Sequence, residues 1–139
     1  MRDNIFLDTN ILVYAHDLDA GDKHDVAAKI IYQLWESKNG VLSTQVLQEF
    51  YVTLTKKMPR PLSKVATRKI LKEYFSWQVV INDLQIIFQA SEIEEAYNIS
   101  FWDALIVSAA YSKNVATILT EDLSHGQYIE GIFIQNPFI

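Results

Sequence analysis

Asn4-Ile5-Phe6-Leu7-Asp8-Thr9-Asn10-Ile11-Leu12-Val13-Tyr14 holds the transition on which the fold turns. The apolar run Ile5 to Leu7 is too short for a helix and reads as a buried strand. It stops at a carboxylate followed by two good helix-capping residues, after which apolar residues resume. Asp8 therefore stands where a strand gives way to a helix. In an open α/β sheet, ligands bind in the crevice outside the carboxyl ends of the strands, so a charge placed there is a site candidate. Taken alone, Asp8 is first explained as the N-cap of the helix that follows.

Outward from this stretch, short strand-like runs alternate with longer helical ones. His24 to Lys38 carries Ala27, Ile30, Ile31, Leu34 and Trp35 on one helical stripe, closed by Asn39-Gly40. Val41-Leu42-Ser43 is a second strand, and Thr44 caps a helix with Val46, Leu47, Phe50 and Leu54 inward, ending before Met58-Pro59. A helix over Ser63 to Phe75, a strand at Val79-Val80-Ile81, and a helix capped by Asn82 or Asp83 follow. The next helix starts at Ser100, Val115 to Leu119 is a fourth strand and Ile132-Phe133-Ile134 a fifth. Strands joined by helical connections predict an α/β fold: a mostly parallel sheet of about five strands with helices on both faces.

The 139 residues, half of them apolar, suffice for one core, so residues 1–139 are expected to form a single domain. With no cysteine, disulfides and thiolate metal sites are excluded, and any metal must be held by oxygen or histidine. No run reaches the roughly 20 apolar residues of a membrane span, nor is there a leader-like N-terminus, and a soluble, cytoplasmic protein is expected. The net charge of −5 argues only mildly against nucleic acid, since charge distribution matters more than its sum.

Four acids fall at telling points of this frame. Asp8 ends the first strand. Glu49, in Gln48-Glu49-Phe50, lies on the helix after the second strand, beyond the reach of a capping box or a helix dipole. Asp103 opens a helix in Phe101-Trp102-Asp103-Ala104-Leu105-Ile106, where Ser100-x-x-Asp103 also matches a capping box. Asp122 follows the fourth strand in Thr120-Glu121-Asp122, where turn chemistry alone would account for it. Each has an ordinary structural explanation, yet together they converge on one edge of a doubly wound sheet. Carboxylates grouped without basic partners raise one another's pKa, and a divalent cation removes that penalty. Oxygen-only donors select Mg²⁺ or Mn²⁺, which suits phosphodiester hydrolysis.

Phe6-Leu7-Asp8-Thr9-Asn10-Ile11-Leu12, the helical Glu49, Phe101-Trp102-Asp103-Ala104-Leu105-Ile106 and Leu119-Thr120-Glu121-Asp122 resemble, in order and spacing, the acidic motifs of PIN-domain ribonucleases, above all the VapC toxin type. The resemblance runs from Phe6 to Asp122. It implies a three-layer α/β/α sandwich and metal-dependent endonucleolytic cleavage of RNA, with Asp8, Glu49, Asp103 and Asp122 as catalytic and metal-binding residues. Asn10, Thr120 and Glu121 are implied as supports behind them, Glu121 also as an alternative to Asp122. A cognate antitoxin and a second copy of the chain are the expected protein partners.

Other classes stay open at this level. A catalytically silent PIN-like binding module would keep the fold without the chemistry. A Mg²⁺-dependent phosphatase of the haloacid dehalogenase type would want a second Asp where Asn10 stands, and a receiver-like phospho-acceptor domain an Asp ending the third strand. Neither a dinucleotide-binding glycine motif nor a P-loop occurs. Seven of the twelve basic residues lie between Lys56 and Lys72, and Lys64, Arg68 and Lys69 are expected to contact RNA phosphates unless they merely form a solvated helical face. Trp35, Trp77 and Trp102 are expected in the core, and the three histidines are given no role.

Overall fold

The computed structural model describes residues 3–139. Strand β1 (Ile5–Leu7) runs into helix α1 (Thr9–Ala15), followed by α2 (Asp22–Ser37), β2 (Gly40–Ser43), α3 (Thr44–Val52) and α4 (Lys64–Tyr74). Then come β3 (Gln78–Val80), α5 (Leu84–Tyr97), α6 (Phe101–Ser112), β4 (Thr117–Leu119), β5 (Tyr128–Ile129) and β6 (Ile132–Gln135). The sheet has the order β3-β2-β1-β4-β6-β5 and is parallel except for β5. β1 is central: Phe6 faces Val41 of β2 on one side and Ile118 of β4 on the other. The winding reverses beside β1, and that reversal opens a crevice at its carboxyl end.

Helices cover both faces, giving the expected α/β/α sandwich; α1 packs on α2 and α3, while α5 lies along α6. Phe6 and Leu7 are fully buried, each contributing roughly 1.5–3 kcal/mol relative to exposure. Helix α6 is buried continuously from Ala104 to Ala110, and its one polar residue there, Ser108, donates to the Ile86 carbonyl at 2.9 Å. Such an all-round apolar helix has no clean stripe and is enclosed by its neighbours from Ala104 onward.

The sheet has six strands rather than five. β5 is only two residues long, and it joins β6 through Glu130-Gly131, both at positive φ (51° and 78°), a tight antiparallel turn made here without the usual Asn-Gly. Three smaller expectations also change. Ser43, not Thr44, caps α3 through its hydroxyl, and Thr44 instead accepts from the Asn82 amide across to β3. Lys38, in the left-handed region, ends α2; Gly40 is needed because a Cβ there would lie 2.2 Å from the Trp77 ring. The helix after β2 passes at Thr53 into a π-helical turn, Thr53–Lys57, in which Leu54 is buried.

Candidate active site

The crevice is built from four separate elements. Asp8, at the end of β1, is only 5% exposed and does cap α1, accepting from the Thr9 amide at 2.7 Å through one oxygen. Its other oxygen accepts from the Thr120 hydroxyl at 2.8 Å, so capping explains half of the carboxylate. Thr120 in turn accepts from the Asp122 amide at 3.0 Å, tying the ends of β1 and β4 into one unit. Glu49 projects from α3 and accepts from the Thr9 hydroxyl at 2.6 Å. Asp103 sits in the first turn of α6, where its amide donates to Ser100 as the capping-box spacing predicted. All four acids line one cleft of about 350 Å³, along with Thr9, Asn10, Gln45, Lys57 and Trp102.

Their electrostatics follow from burial and mutual repulsion. Burial lifts the Asp8 carboxyl from 3.8 to about 7, against the lowering effect of its Thr120 and Thr9 hydrogen bonds, and Asp122 and Glu49 push it further up. Asp122 is also raised, first by burial and then by Asp103, while a hydrogen bond from the Asn10 amide partly offsets them. Asn10 and Thr120 thus each support one acid. Glu121, by contrast, does not line the cleft. It pairs with Lys23 at 2.8 Å and accepts from the Tyr14 hydroxyl, and these partners hold its pKa down in spite of burial. Of the two adjoining acids, only Asp122 faces its fellows.

Among the described residues no three acidic or histidine side chains are grouped tightly enough to close around a single ion. The donors nonetheless fit a hard, hydrated cation: all are oxygen, they share an open cleft, and Mg²⁺ usually binds through one or two carboxylates and keeps several waters. Asp8 and Asp122 are the two whose ionised forms a cation would most relieve.

Gln45, Lys57 and Trp102 line the cleft, although nothing in the sequence assigned them to the site. Gln45 is buried; its amide donates toward Glu49 (3.4 Å) and to the Trp102 carbonyl (3.2 Å), linking α3 to α6, and its own carbonyl oxygen has no protein partner. Its place four residues before Glu49 was the available signal. Lys57 enters through the π-helical turn. Trp102 is 63% exposed, which overturns its assignment to the core, and Trp35 is 40% exposed beside the Tyr74 and Trp77 rings. Lys64, Arg68 and Lys69 lie exposed on α4 and do not line the cleft. The histidines have structural partners, His16 with the Tyr74 hydroxyl at 2.6 Å and His24 with the Tyr14 carbonyl at 2.9 Å.

A family model described as the PIN domain matches residues 5–128. No curated protein matches the chain. Among solved structures, the chain is similar to DNA-bound VapBC from Salmonella typhimurium, at 17% identity over 98% of this chain and 99% of that one, with a TM-score of 0.70. It is also similar to VapBC2 from Rickettsia felis bound to a DNA fragment from their promoter (25% identity, 95% and 97% covered, TM-score 0.65). A third is VapC20 of Mycobacterium tuberculosis, a sarcin-ricin loop cleaving toxin (22% identity, 83% and 87% covered, TM-score 0.63).

Proposed function

Because the chain belongs to the PIN-domain family, we propose that it is a divalent-cation-dependent endoribonuclease and the toxin of a cytoplasmic toxin–antitoxin pair. The observation that carries this is the convergence of Asp8, Glu49, Asp103 and Asp122 on one cleft, with Asp8 buried and without a basic partner among the described residues. Mg²⁺ or Mn²⁺ would be held there by Asp8 and Asp122, with Glu49 and Asp103 completing the shell directly or through water. When bound, such a cation neutralises charge on a phosphate and makes water easier to deprotonate. Thr9, Thr120 and Asn10 keep Glu49, Asp8 and Asp122 aimed inward through the hydrogen bonds described above, as supporting groups do in metal sites. No side chain is required as a nucleophile.

The partners follow the same assignment. RNA is the substrate, a cognate antitoxin chain the inhibitor and a second copy of the chain a further partner; likeness to the VapBC structures supports the antitoxin. Purified chain incubated with RNA and Mn²⁺ or Mg²⁺ is expected to give discrete internal cuts, mapped by sequencing the new ends, and none with chelator present. A silent binding module draws support from the loose spacing of the acids. Absence of cutting with either cation would decide for it.

Lys64, Arg68 and Lys69 carry a separate expectation. They sit at i, i+4 and i+5 on the exposed side of α4, outside the cleft. Neutralising all three should weaken RNA binding without abolishing cleavage at saturating RNA. The log–log salt dependence of binding should become shallower by up to ~2, at about 0.7 per single-strand phosphate contact. An unchanged slope would give this face to solvent or to a protein partner.

A further inference from the structure

Trp102 is out of place by the ordinary rules of burial. It follows Phe101 in the first turn of a helix whose next residues are among the most buried in the chain, yet its indole is 63% exposed. It is held rather than loose. Its carbonyl accepts from the buried Gln45 amide at 3.2 Å, and the Phe101 ring meets it edge-on at 5.5 Å and 78°. It lines the same cleft as the acids, next in sequence to Asp103. Lys57 lines that cleft too, exposed and without an ion pair among the described residues.

The surroundings identify the ligand class. The cleft around Trp102 has a mixed lining in which Val13, Tyr14 and Ile106 stand beside the four carboxylates, and it is the carboxylates that make covering it with an apolar protein segment costly. Exposed apolar residues suited to such a segment lie outside the cleft: Ile81, Leu84 and Phe88 near the start of α5, and Val52 and Phe75 in an apolar groove on α3 and α4. A braced aromatic face that shares its cleft with the Lys57 ammonium fits a nucleobase and its phosphate, because any base offers a π-face and stacking needs no hydrogen-bond code. Building on the ribonuclease assignment, we propose that Trp102 is a stacking platform for an unpaired base flanking the scissile phosphate, with Lys57 meeting a neighbouring phosphate of the same strand.

Binding is read in the Asp8→Asn chain with Mg²⁺ present, so that it does not depend on cleavage, using a short oligoribonucleotide and versions of it with one base removed at each position. Trp102→Leu should weaken binding on the order of 10-fold, and Trp102→Tyr should recover most of that. Removing one particular base should cost the Trp102 chain a similar factor and add nothing further in Trp102→Leu, as expected when two changes delete one contact. No measurable binding by the parent chain, Trp102→Leu binding as tightly as the parent, or base removal costing both chains equally would each overturn the platform. Leucine that spares RNA affinity but impairs association with another protein chain would assign Trp102 to an interface instead. Cleavage is assayed in parallel with Asp8 intact. RNA bound through Trp102 but never cut refutes the ribonuclease and leaves a base-stacking site with no scissile phosphate beside it, whereas cutting indifferent to Trp102→Leu refutes the platform alone.

Discussion

Asp103→Asn is expected to lower RNA cleavage by more than roughly 100-fold, since even outer partners of metal ligands cost 10- to 100-fold when removed. Its fold should survive. The Asp103 amide, not its carboxylate, makes the cap bond to Ser100, and asparagine keeps that amide. Losing an acid from the first turn of a helix costs about 0.3–1 kcal/mol at most, and the repulsion that helps raise Asp122 disappears with it. Far-ultraviolet dichroism and urea denaturation should therefore match the parent while single-turnover cleavage collapses. Cleavage within a few-fold of the parent would remove Asp103 from the chemistry.

Asp8→Asn is expected to make the cation-free chain more stable at pH 8 and to lose that advantage as the pH falls. In the folded chain burial holds the Asp8 carboxyl at about 7, against 3.8 ordinarily. Between those values the folded state keeps a proton that the unfolded state has released, so stability falls as pH rises through this window. Below the lower value both states are protonated and the cost vanishes; above the upper value it is complete. Asparagine carries no such cost. It can still accept from the Thr9 amide, though Thr120 must reorient to accept from it. At 1.36 kcal/mol per pH unit, the gain at pH 8 should be on the order of 2–4 kcal/mol, read from urea midpoints at pH 4, 6 and 8 with chelator present. A gain that grows toward low pH would contradict the burial of an ionisable Asp8.

Much of the architecture is legible in local chemistry. A three-residue apolar run ending in Asp-Thr-Asn can do little but turn from strand to helix, and the Ser100 cap places Asp103 one turn into α6 whatever surrounds it. What escapes the sequence is decided by distant residues. Glu121 and Asp122 are equivalent on paper; Lys23, 98 positions away from Glu121, takes it out of the cleft. Trp102 looks like a core residue because its neighbours are apolar, but periodicity says little about the first turn of a helix, where one side has no preceding turn to pack on. Lys57 lines the cleft from the π-helical turn that follows Val52, a departure from α-helical spacing, and β5 forms around a turn that gives Glu130 an uncommon positive φ.

If four carboxylates from four elements make one divalent-cation site, a calorimetric Mn²⁺ titration of the metal-free chain should show it. The parent chain should bind saturably. Asp8→Asn and Asp103→Asn should each weaken binding by roughly 10-fold or more while remaining folded. A parent chain that takes up no Mn²⁺, or two variants that titrate like the parent, would contradict such a site.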